Sequence, residues 1–155
     1  MYFLEELAAE WYAYQGYFVQ TNVKFGMLPA GGYEGEMDVV AFHPTRKILV
    51  HVEASMDAVS WKERRERLVK KFSHAQKHYS ELFRFEYSQL EKVAIVGFGH
   101  AHPPRESMGG VTIMSIPEFV RTISRELKKK SPAEMAVPEQ FPILRAMQMA
   151  VHWGT

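Results

Sequence analysis

Asp38 and Glu53 are carboxylates set in stretches that otherwise read as buried strands. The first lies in Gly35-Glu36-Met37-Asp38-Val39-Val40-Ala41-Phe42 and the second in Ile48-Leu49-Val50-His51-Val52-Glu53-Ala54-Ser55, with a short turn-like segment, 43–47, between them. As adjacent strands of a hairpin, these stretches bring two acids together within one sheet. Unpaired carboxylates in apolar surroundings are costly or take up a proton, so the pair calls for a compensating cation. Mg2+ fits, because it prefers oxygen ligands and commonly uses only one or two protein carboxylates. Two acids holding Mg2+ or Mn2+ can activate water and neutralise charge on a phosphodiester. The plain structural alternative is a hydrogen-bonded or salt-bridged pair at a sheet edge.

A second feature is basic. Residues 62–71 hold Lys62, Arg64, Arg65, Arg67, Lys70 and Lys71 against only Glu63 and Glu66, in a chain whose net charge is +1. Such a run either grips phosphates or forms a solvated helix face laced with ion pairs three and four residues apart. Other chemistry is thinly represented. His74 and His78 have helical ligand spacing, and His100 and His102 form a close pair, but neither comes with the further ligands a zinc site needs. Gly97-Phe98-Gly99 is too short for a dinucleotide fingerprint, and there is neither a phosphate-cradling loop ending in Lys-Ser/Thr nor a Gly-x-Ser-x-Gly elbow.

The elements that position these residues follow from periodicity. Leu4, Leu7, Ala8, Trp11 and Tyr14 make one face of a helix over 3–15, ended by Gly16. Residues 17–25 alternate as a strand, 29–32 turn, and the two acid-bearing strands span about 33–42 and 47–54. Trp61, Leu68, Phe72, Ala75, Tyr79 and Leu82 predict one long amphipathic helix over 57–83. Residues 92–97 and 111–116 are short, β-branched strands whose continuous apolarity suits a sheet covered on both faces. Pro117 opens a further helix ending in the basic run 128–130; 131–142, with three prolines, is a linker. Ile143, Leu144, Met147, Ala150 and Val151 predict a last short helix, docking on the domain or on a second copy.

With these elements in place the chain resembles the PD-(D/E)xK nuclease superfamily, whose members include Holliday-junction resolvases. Glu5-Glu6-Leu7-Ala8-Ala9 followed by Gln15-Gly16-Tyr17 is similar to the family's opening helix and the start of its first strand. Gly35-Glu36-Met37-Asp38 is similar to its Gly-Glu-x-Asp, and Val50-His51-Val52-Glu53 to its Val-Glu-x-Lys strand, except that Ser55 stands where the family has its catalytic lysine. The resemblance implies a restriction-endonuclease-like three-layer α/β sandwich with a mixed central sheet and the core order αβββαβ, plus an extra strand and C-terminal helices. It implies Asp38 and Glu53 as metal ligands, and a catalytic set of Glu5, Asp38, Glu53, Ser55 and a relocated lysine, Lys62 first, then Lys70 or Lys71. Glu5 would be a third ligand or would orient metal-bound water, against the alternative of a solvated first-turn acid. His51 shares the face of Glu53 and touches metal or phosphate, or simply packs.

One domain is expected from 155 residues at 46% apolar content, with 1–130 as the nuclease-like part and 131–155 as linker and C-terminal helix. The absence of cysteine excludes disulfides and thiolate-held zinc or iron–sulfur centres. Short apolar runs and acids at Glu5 and Glu6 predict a soluble, cytoplasmic protein without a membrane span. The function expected is Mg2+- or Mn2+-dependent endonucleolytic hydrolysis of DNA, with Arg64, Arg65, Arg67, Lys70 and Lys71 on the nucleic acid and a homodimer as in resolvase-like relatives. The alternative is a pseudo-nuclease that binds nucleic acid or a protein partner without cutting.

Overall fold

The stripe of Leu4, Leu7, Ala8 and Trp11 makes the first helix, α1 (Phe3–Tyr14), and buries all four side chains. Glu5, also on α1, is only 8% exposed. The computed structural model describes residues 2–97 and 108–154, so the His100 and His102 pair and the Phe98-Gly99 step lie outside the described residues. After α1 come strands β1 (Phe18–Met27), β2 (Tyr33–His43) and β3 (Ile48–Ser55). Helices α2 (Trp61–Gln76) and α3 (Tyr79–Leu82) follow, then β4 (Gln89–Val96), β5 (Val111–Ser115), α4 (Ile116–Lys128) and α5 (Pro142–Trp153).

The five strands form one sheet in the order β1-β2-β3-β4-β5. β1 and β2, and β2 and β3, run antiparallel through tight connections, whereas β3, β4 and β5 are parallel and need crossovers. The result is the mixed-sheet sandwich and the αβββαβ core order that the sequence predicts. On one face Leu4, Leu7, Trp11, Val39, Val50, Val52, Ile95, Phe119, Ile123 and Leu144 form the larger core, under α1, α4 and α5. On the other, Leu68, Phe72, Ala75 and Tyr79 of α2 and α3 cover Leu49, Ala94 and Val96. Each fully buried Val, Leu, Ile or Phe among them contributes about 1.5–3 kcal/mol by leaving water.

Three local details position the site. Gly35 is required by packing: a Cβ there would sit 2.5 Å from the Phe25 ring, which lies across its strand partner in the β1–β2 pair. α4 starts one residue earlier than its proline suggests, because Ser115 caps it in a reciprocal box with Glu118. The single helix expected over 57–83 is two. α2 begins only after Ser60, which accepts the Glu63 N–H, and the chain turns at Lys77 and His78 before α3. The break coincides with side chains held by other elements: His78 by Glu34 at 2.9 Å, and Tyr79 by His51. Tertiary contacts override the helical period there.

Residues 131–141 are not a free linker, since Val137 is fully buried and its N–H donates to Gln148 Oε1 of α5. α5 itself packs on α1 and α4, anchored where Glu10 accepts the N–H groups of Ile143 and Leu144. Among the described residues, no helix is long and apolar enough to cross a membrane.

Candidate functional site

The pairing of Val39 with Val52 places Asp38 and Glu53 opposite one another at the next rung of the β2–β3 ladder. Their side chains point to the same face. Both meet the ammonium of Lys71 from α2, whose Nζ lies 3.1 Å from Asp38 Oδ1 and forms an ion pair with Glu53 Oε2. Asp38 Oδ2 accepts the Ala54 N–H at 2.9 Å, which ties the aspartate to the glutamate's strand. Glu53 is only 1% exposed, and its other oxygen, Oε1, is 2.7 Å from His51 Nε2.

Above this cluster is an open pocket of about 450 Å3, lined by Tyr2, Glu5, Asp38, Ser55, Asp57 and Lys71 among others. Glu5 therefore faces the acids and is not a solvated first-turn residue, although its Oε2 also accepts the Tyr2 N–H at 3.3 Å. Ser55 stands at the pocket edge, with its hydroxyl 3.5 Å from Asp57 Oδ2.

The electrostatics are unbalanced. Asp38 and Glu53 share one ammonium, which leaves one negative charge uncompensated when both are ionised. Burial, then the neighbouring Glu53 charge, pushes the Asp38 carboxyl up to about 6, against the opposing pull of Lys71 and the Ala54 N–H. Burial also raises Glu53 in spite of Lys71, and burial together with Asp38 raises Glu5. For Lys71, burial works against the charged form, but the Glu53 and Asp38 carboxylates outweigh it and its pKa is raised. His51 is held neutral by burial, its pKa lowered to about 3. An acid cluster that resists ionisation in this way is suited to receive a divalent cation, which would hold all three carboxyls charged.

Among the described residues no three His, Cys, Asp or Glu side chains make a metal cage by themselves. The donor set still fits Mg2+ or Mn2+, which are commonly held by one or two carboxylates, with water completing the shell. Asp38 and Glu53 would be those two, with Glu5 beside them. His74 and His78 instead share Glu34, at 3.3 and 2.9 Å, in a polar cluster away from the pocket lining.

The structure redistributes the basic residues. Lys71, rather than Lys62, reaches the acids. Nine residues along an α-helix is about two and a half turns, so Lys62 leaves α2 on the side opposite Lys71; it is exposed in the first turn. Arg64 is not a surface phosphate contact: it is 4% exposed and donates to the carbonyls of Asp57 and Gly97, tying the 56–60 loop to the end of β4. Arg67 is exposed but engaged by Glu63 at 2.6 Å and Asp57 at 3.5 Å. Arg65 is half-buried, and Lys70 is exposed on the outer side of the helix. Of the five residues expected on nucleic acid, Lys71 belongs to the acid cluster itself, and Lys70 and Arg67 are exposed.

Tyr79, which the periodicity marks only as core, is a further member of the site: its hydroxyl is 2.5 Å from His51 Nδ1. Its sequence signal is weak, because an aromatic residue on a helical stripe is ordinarily packing.

No protein-family model matches the chain, and no curated protein matches it either. Among solved structures, it is similar to the small subunit of a heterodimeric restriction endonuclease, with a TM-score of 0.40 and 15% identity, over 94% of this chain and 85% of that one. So loose a likeness leaves the site to be judged on its own geometry.

Proposed function

We propose that the chain is a metal-dependent nuclease of the PD-(D/E)xK kind that hydrolyses DNA phosphodiester bonds. The observation that carries this reading is Lys71. The strand position where the resembled family has a lysine holds Ser55, yet an ammonium arrives at the same pair of acids from α2. The acid–acid–lysine set is thus complete in space though interrupted in sequence.

Asp38 and Glu53 would hold Mg2+ or Mn2+, whose chemistry is to polarise the phosphate and lower the pKa of bound water. The protein's own residues supply the rest. Lys71, on a flexible stem with 42% of its side chain exposed, can follow an incoming phosphate oxygen or the attacking water while remaining attracted to the acids. Glu5 projects from α1 into the same pocket and is placed to accept a hydrogen bond from a water molecule there. Lys70 supplies phosphate attraction outside the pocket.

The test is incubation of plasmid and branched DNA with the protein and Mg2+ or Mn2+. Cleavage that is lost in Asp38→Ala and in Lys71→Ala supports the proposal. Cleavage that survives either substitution, or none in the unaltered protein, removes it.

A second reading has its own support. Lys71 already bridges both acids, so the pair has a cation without any metal, as in a salt-bridged scaffold that binds nucleic acid or a protein without cutting. It predicts DNA affinity that falls steeply with salt and is indifferent to divalent ions.

A further inference from the structure

Behind the acids runs a buried chain of three polar side chains. Tyr79 Oη is 2.5 Å from His51 Nδ1, His51 Nε2 is 2.7 Å from Glu53 Oε1, and Glu53 Oε2 meets Lys71. Tyr79, His51 and Glu53 are 4%, 1% and 1% exposed. The Phe72 ring, 4.7 Å from the imidazole and tilted by 57°, closes the remaining side.

The donors and acceptors in this chain select one arrangement. A carboxylate oxygen only accepts, so the nitrogen facing it, Nε2, carries the imidazole proton. With the ring neutral, Nδ1 is then bare and accepts from the phenol, whose hydroxyl is the donor available to it. Each link fixes the next. A buried imidazole needs a partner at each ring nitrogen, and here one of the two partners is the acid of the site itself.

We infer that Tyr79 and His51 are positioning residues: the phenol selects the imidazole tautomer, and the imidazole N–H fixes Glu53 Oε1, turning Oε2 toward Asp38 and Lys71. This rests on the reading of Asp38 and Glu53 as the metal-holding pair. Partners of this kind behind a ligating carboxylate or histidine contribute about 10- to 100-fold in metal affinity.

Tyr79→Phe in the full chain isolates the effect, because it keeps the ring in the core and removes only the hydroxyl. Nitrogen-15 NMR of the metal-free protein reads the His51 tautomer, and calorimetric titration with Mn2+ reads affinity. The expected result is a single Nε2–H tautomer in the unaltered protein, loss of that single state in Tyr79→Phe, and a Kd for Mn2+ raised about 10- to 100-fold. His51→Gln, whose amide can still donate to Oε1, should recover most of the affinity that His51→Leu loses. An Nδ1–H tautomer in the unaltered protein, or unchanged Mn2+ affinity in Tyr79→Phe, overturns the positioning role alone. Absence of Mn2+ binding in the unaltered protein overturns the metal site and the positioning role with it.

Discussion

Replacing Asp38 by asparagine should stabilise the metal-free protein at neutral pH while destroying its metal site. The Asp38 carboxyl, 8% exposed and beside Glu53, is raised from 3.8 to about 6 in the folded state. For an acid whose folded-state pKa is raised, the associated stability is fully present below the unfolded value. It is lost as pH climbs from about 4 through about 6, because the unfolded chain releases its proton first. A displacement of about two pKa units corresponds to about 3 kcal/mol, an upper figure for the cost of ionising Asp38 in the fold. Asparagine mimics the protonated acid and can still accept the Ala54 N–H, so it escapes that cost. Urea unfolding in EDTA at pH 5 and pH 7.5 would measure it. Relative to the unaltered protein, Asp38→Asn should gain about 1 kcal/mol more at the higher pH, worth a few degrees in Tm. Mg2+ at about a thousandfold excess over Kd should reverse the ranking, since only the unaltered protein gains from binding, by about 4.1 kcal/mol. An asparagine variant whose relative stability is the same at both pH values would refute the reasoning.

Removal of the ammonium should act in the opposite sense. Lys71→Met leaves buried acids uncompensated and should cost on the order of 3 kcal/mol of metal-free stability at pH 7.5, less at pH 5 where the acids take up protons. It should also slow DNA cleavage by about 10²- to 10³-fold in single-turnover assays. Lys62→Ala, on the opposite side of α2, should leave cleavage unchanged and shift urea-derived stability by no more than about 0.5 kcal/mol. Arg64→Met should destabilise by about 2–3 kcal/mol in the same unfolding assay, by orphaning the Asp57 and Gly97 carbonyls, without altering the salt slope of DNA binding. Lys70→Ala should lower that slope by about one in fluorescence anisotropy titrations, with stability unchanged.

The elements were legible where side-chain periodicity is decided locally. α1 and the two acid-bearing strands lie within about two residues of their sequence-based bounds, because α1 has one buried stripe, the strands have a continuous buried run, and turn residues bound each element. The long helix was not, because what interrupts it is the anchoring of His78 on Glu34 and Tyr79 on His51, partners more than twenty residues away in sequence. The acids could be found because a carboxylate in an apolar strand is conspicuous. Choosing among the lysines required the register of α2 on the sheet. In hindsight a signal existed: Arg64, Leu68, Lys71 and Ala75 step by four, three and four, so Lys71 falls on the buried stripe while Lys62 does not. The same stripe explains why Arg64 turns inward, although a charged residue in a basic run suggests a surface. Tyr79 carried no distinguishing mark, since its role comes from a hydroxyl that periodicity does not see.

The most direct measurement is anomalous diffraction from a crystal equilibrated with Mn2+. A manganese peak ligated by oxygens of both Asp38 and Glu53, with Lys71 still beside them, is the predicted result. The Lys71 ammonium bridging both carboxylates in saturating Mn2+, with no manganese between them, would contradict it.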